Sequence, residues 1–109
     1  AFIHICGNTL NTMSTLKAIG TDCFSFDHAV DPAAARKSAG DMAIMGNVDP
    51  VKIMMMAKPE DVKKESYRVI DAAGTEGGLI LAPGCEMPLT TPDANAIMMG
   101  EAGRTYWQQ

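Results

Sequence analysis

Residues 42–50 read Met-Ala-Ile-Met-Gly-Asn-Val-Asp-Pro. The apolar run Met42–Met45 has the length of a buried strand. Asp49-Pro50 then places a capping carboxylate before a proline suited to a first helical position. A strand that leads straight into a helix start is one βα unit. The same text recurs on both sides of it. Phe2–Cys6, Cys23–Phe26 and Gly78–Ala82 are further short apolar runs, each followed by a helical stretch. Asp31-Pro32 and Thr91-Pro92 repeat the cap-and-proline signal, and Pro59 opens Glu60–Ala73 behind the weak cap Lys58. Leu10–Ile19 supplies the first helix, with Gly20 as its stop. Val62, Tyr67, Val69 and Ile70 form an apolar stripe on the Glu60–Ala73 helix, and an extra short helix is expected over Val51–Met56.

Short apolar strands alternating with helices predict an α/β fold with a parallel sheet. Four consecutive βα units are half of a (βα)8 TIM barrel. A small open doubly wound sheet is built from the same units, and the pattern alone does not separate the two. Residues 1–109 are read as one unit, because no linker or low-complexity stretch divides them. The chain starts on a strand-like run with neither an initiator Met nor a leader, so it is expected to be a piece of a larger domain.

Composition narrows the function classes. A net charge of −4 with scattered lysines argues against a nucleic-acid footprint. No apolar run approaches the ~18 residues that would suggest a membrane span. The three cysteines are an odd count at spacings unlike a disulfide framework, which fits a reduced cytoplasmic protein. The nine methionines are read as flexible core filler, so Met54-Met55-Met56 needs no cofactor.

Against this background His4, Cys6 and Cys85 stand out. Imidazole plus two thiolates is a zinc-type donor set, and three protein ligands leave open the position that a catalytic zinc needs. Alternate residues of a strand share a face, so His4 and Cys6 point the same way. Cys85 follows the last strand. Parallel strands put their carboxyl ends on one side of the sheet, where α/β active sites sit. The fold therefore carries all three to one rim. The competing reading makes His4 a core imidazole and the cysteines small hydrophobes; that reading is taken for Cys23.

Other strand ends add polar groups. Asp27 would be a fourth, displaceable metal ligand or an acceptor behind the ligands. Its neighbour His28 would be part of the site or a solvated loop residue. Gly46 and Asn47, read as following the third strand, would let the backbone approach a ligand and hydrogen-bond to it. Asp49 is read as a helix cap. Glu86 would orient a ligand or simply face solvent. Asn8 and Thr9 would contact substrate or start the first helix.

His4-Ile5-Cys6-Gly7-Asn8, Met45-Gly46-Asn47-Val48-Asp49-Pro50 and Ala82-Pro83-Gly84-Cys85-Glu86-Met87-Pro88 together resemble the C-terminal half of the uroporphyrinogen decarboxylase superfamily. Within it they are most similar to the corrinoid-dependent methyltransferases of the methylcobamide:coenzyme M kind. The resemblance runs over essentially the whole chain, in order. It implies four βα units forming the C-terminal half of a TIM barrel. His4, Cys6 and Cys85 match that branch's zinc ligands, and Asp27 falls near where the family can carry an acidic group at the metal. No catalytic group beyond the metal site is implied; Asn8, Asn47 and Glu86 are the expected substrate contacts. The implied activity moves a methyl group from a methylated corrinoid, brought by a carrier protein, to a thiol such as coenzyme M. Two alternatives stay open: a decarboxylase-like enzyme of the same superfamily without zinc, and a non-catalytic half-barrel whose zinc is structural. An open half-barrel has two bare edges, so self-association or pairing with the missing half is expected.

Overall fold

A computed structural model describes residues 1–109. Strand β1 spans Phe2–Ile5, β2 Cys23–Phe26, β3 Ala43–Val48 and β4 Leu79–Pro83. Helix α1 spans Met13–Ala18, α2 Pro32–Ala39, α3 Pro59–Ala73 and α4 Asp93–Thr105. Short 3-10 turns at Leu10–Thr12 and Tyr106–Gln108 flank α1 and α4, and a π-type turn covers Pro50–Met55. No helix is long and apolar enough to cross a membrane.

Most starts and stops follow local chemistry. Asp31 accepts from the Ala34 N–H at 2.9 Å, and Asp49 accepts from Val51 and Lys52 at 2.9 Å each, so both act as the caps the sequence predicts. Lys58 makes no side-chain cap, and Pro59 with Glu60 and Asp61 opens α3 instead. Two expectations change. Thr91 does not cap α4: its hydroxyl turns back to donate to the Pro88 carbonyl at 2.7 Å, and the helix begins at Asp93. β3 does not end at Met45 but runs on to Val48, because Gly46, Asn47 and Val48 pair with Leu81, Ala82 and Pro83.

The strands lie in the order β1-β2-β3-β4, all parallel. This order separates the two architectures. A doubly wound sheet reverses its strand order at a switch point and carries helices on both faces. Here every crossover steps the same way, and the packed core lies on one face. Phe24, Phe26 and Ile44 bury against Met13, Leu16, Ala35 and Ala39. Val48 buries with Met54, Val62 and Val69, and Leu79 and Leu81 pack beside them. The register sets these strand residues in common rows, as a parallel pleat requires. The opposite rows hold Phe2, His4, Ser25, Met45 and Ile80, and no helix covers them; Phe2 is 69% exposed and Ile80 45%. The fold is that of four βα units of a TIM barrel, with the barrel-interior face open.

Candidate metal centre

His4 lies on the open face of β1, and Cys6 follows just past its carboxyl end. Alternation brings them together as the sequence predicts: Cys6 Sγ is 3.4 Å from His4 Nε2. Cys85 arrives from the loop after β4, and its Sγ lies 3.5 Å from that of Cys6 although the two are 79 positions apart. All three donor atoms fall within 4.8 Å of one another. A tetrahedral ion with metal–sulfur bonds of about 2.3 Å sets two sulfurs about 3.8 Å apart, and a sulfur and a nitrogen about 3.6 Å apart. The two separations that involve Cys6 are a few tenths of an ångström shorter, so each of those pairs would reach a zinc-sized ion with a slight outward shift.

Strand β2 and the turn after it supply none of the three donors, yet the segments that carry all three lean on them. Ser25 Oγ sits 2.8 Å from His4 Nδ1, which leaves Nε2 facing the sulfurs. Asp27 accepts from the Gly7 N–H at 3.0 Å, directly after Cys6, and from the Ala29 N–H at 2.9 Å. Gly84, just before Cys85, passes against the backbone of His28: a Cβ built there would lie 2.4 Å from the His28 nitrogen. The Gly84 N–H donates to the Val48 carbonyl at 2.8 Å, which fixes the path into Cys85.

The electrostatics suit a cation. The Cys6 thiol is pushed above its ordinary value, first by its hydrogen bond to Cys85 and the charge that Cys85 would carry, then by burial and by Asp27. Two thiolates this close repel, and a divalent ion between them would let both ionise. Burial raises Asp27, but the Gly7 and Ala29 N–H donors and the charges of His28 and His4 outweigh it, so the carboxyl stays below its usual range.

Asp27 is not among the converging donor atoms, its oxygens being engaged by Gly7, Ala29 and His28, whose Nδ1 lies 3.0 Å away. His28 stands between two carboxylates, with Nε2 3.7 Å from Asp49. Asn8 accepts from the Leu10 N–H at 3.3 Å and starts the first turn. Asn47 is 3% exposed inside β3, and its amide donates to the carbonyls of Asp27 (3.1 Å) and Val30 (2.6 Å). Glu86 is exposed and lines a cleft of about 390 Å³ together with His4, Ser25, Met45, Ala82, Pro83, Cys85 and Met87. His4 and Cys85 therefore open onto a mostly apolar recess on the concave face, with Cys6 beside them. Ser25 and Met45 were missed by sequence reasoning; the one signal was a hydroxyl in the otherwise apolar Cys23–Phe26 run.

Comparisons with known proteins bear on this geometry. A family model described as uroporphyrinogen decarboxylase (URO-D) matches residues 1–106. Two proteins named methylcobamide:CoM methyltransferase MtbA, from Methanosarcina acetivorans and Methanosarcina mazei, are each 38% identical over 104 residues, which is 95% of this chain and 30% of theirs. A uroporphyrinogen decarboxylase from Geotalea daltonii is 33% identical over 107 residues, 98% of this chain and 31% of its own length. A solved methyltransferase structure from Methanosarcina mazei superposes with a TM-score of 0.84 over 97% of this chain and 31% of that one; at 24% identity it shows a shared fold. The chain thus spans about 30% of the length of the curated relatives it matches first.

Proposed function

The chain belongs to the uroporphyrinogen decarboxylase family, and on that premise we propose that it is a piece, residues 1–109, of a zinc-dependent methyltransferase acting on a thiol. The observation that carries this reading is the convergence of one imidazole and two thiols from opposite ends of the chain. Three donors beside an open cleft match a catalytic zinc, whereas a structural zinc is closed by four. The relatives named methylcobamide:CoM methyltransferase support a methylated corrinoid as donor and coenzyme M as acceptor.

His4, Cys6 and Cys85 would hold the ion. When bound, it supplies the positive charge that lets a substrate thiol lose its proton near neutral pH. Ser25 engages His4 Nδ1 and so leaves Nε2 free to hold the ion. Asp27 anchors the turn after Cys6. Met45, Ala82 and Met87 give the substrate an apolar wall that limits water. The transfer would be a displacement, with the methyl group passing from the corrinoid donor to the substrate sulfur and the bonding pair left with the donor. A corrinoid carrier protein would dock at the rim where the strands end, and the rest of the barrel would close the concave face. The reading places the protein in the cytoplasm, where thiols stay reduced.

Metal content tests it first. Protein purified without added zinc should hold about one zinc per chain, and Cys85→Ser should lose it. Metal-free wild type would sink the reading. A decarboxylase-like function without zinc, favoured by the relatives of that name, would instead show tetrapyrrole binding by metal-free protein.

A further inference from the structure

The Cys6 and Cys85 sulfurs lie 3.5 Å apart, Cys6 is exposed and Cys85 half-buried at the cleft, so both are within reach of small solutes. A disulfide needs about 2.05 Å. The remaining gap of about 1.5 Å falls between two segments beyond strand ends, which yield more readily than paired strands. We infer that Cys6 and Cys85 are a reversible oxidation site, closed to a disulfide by hydroperoxides when no metal is bound. Disulfide and metal are then alternative occupants of one sulfur pair. A bound ion holds the sulfurs about 3.8 Å apart and engages the lone pairs that would attack. The second statement rests on the zinc reading above; the first does not.

The chemistry balances with the peroxide as oxidant. One of the two sulfurs attacks a peroxide oxygen as thiolate, the O–O bond breaks, and a sulfenic acid and hydroxide form. The other thiol then attacks that sulfur, gives up its proton and expels water. In sum two thiols and one hydrogen peroxide give one disulfide and two waters; the sulfurs lose two electrons and the peroxide gains them. The bond would tie β1 to β4, the two edges of the sheet, across the concave face. Cys23 is an internal control, since it is 2% exposed within β2.

The experiment treats reduced, metal-stripped protein with hydrogen peroxide, counts thiols after denaturation and maps unreduced peptides by mass spectrometry. Two of the three free thiols should vanish, a single cross-link should join the Cys6 and Cys85 peptides, and Cys23 should stay free. A thiol reductant should restore all three. Zinc-loaded protein should keep its thiols under the same dose. Persistence of three thiols in metal-free protein, sulfinic acids at separate cysteines, a bond to Cys23 or a bond between chains would overturn the site. Equal oxidation with and without zinc would overturn the alternative-occupant statement. Reduced protein that forms the disulfide yet takes up no zinc would sink the metal reading and leave the oxidation site standing.

Discussion

Ser25 is the smallest change that tests how the trio is held. Its hydroxyl lies 2.8 Å from His4 Nδ1, and partners of this kind fix the orientation of a ligating imidazole. Ser25→Ala should weaken zinc binding by roughly 10–100-fold, measured by chelator competition, while Ser25→Thr, which keeps the hydroxyl, should stay near wild type. Equal loss in both variants would mean the site tolerates no change of shape there and would remove the case for the hydrogen bond. Gly84 gives a second test. An alanine Cβ would press on the His28 backbone, so Gly84→Ala should displace Cys85 and weaken zinc binding at least ~10-fold. Unchanged affinity would show that the loop into Cys85 carries no such constraint. At this scale His4 and Cys6 were legible from alternation alone. Asn47 was not: it reads as a loop amide, but it pairs within β3 and its side chain is buried against the carbonyls of Asp27 and Val30.

At the scale of elements, the starts of β3 and β4 are tied together by one residue that no motif marks. Arg36 of α2 donates to the carbonyls of Ala73 (2.9 Å), Gly40 (2.9 Å), Met42 (3.1 Å) and Gly78 (2.8 Å). It therefore ties the ends of α2 and α3 to the entries of β3 and β4. Arg36→Ala should destabilise the fold by about 2–4 kcal/mol in denaturant unfolding, since each hydrogen bond to a charged group is worth more than a neutral one. Arg36→Lys should recover little, because an ammonium cannot span four acceptors set out for a planar guanidinium. Full recovery by lysine would show that charge, not geometry, holds this corner. The sequence carried strand and helix order well here, because period and caps are local. It carried the end of β3 poorly, since glycine and asparagine read as turn residues until a neighbouring strand supplies their partners.

At the scale of the molecule, the sheet is open, four parallel strands of the kind that close a TIM barrel. β1 and β4 are edges, and the concave face exposes Phe2 and Ile80. We expect this piece to self-associate, with a concentration-dependent sedimentation coefficient at micromolar protein; a single monomeric species up to high micromolar would count against it. The position of Cys85 also belongs to this scale. Three strand spacings of about 4.8 Å would hold β1 and β4 about 14 Å apart in a flat sheet, yet the two sulfurs lie 3.5 Å apart. Curvature of the sheet and the inward turn of both loops close that distance. The amino-acid sequence by itself determined the alternation of strands and helices, the caps at Asp31 and Asp49, and which side chains could bind a soft metal, because these depend on neighbours a few residues away. Only the tertiary structure decided that Ser25 backs His4, that Asn47 is buried against the carbonyls of Asp27 and Val30, and that the Cys6 and Cys85 sulfurs, expected at one rim, come within 3.5 Å. Each of those is a contact between segments distant in the chain, set by the order and curvature of the sheet, which no local pattern encodes.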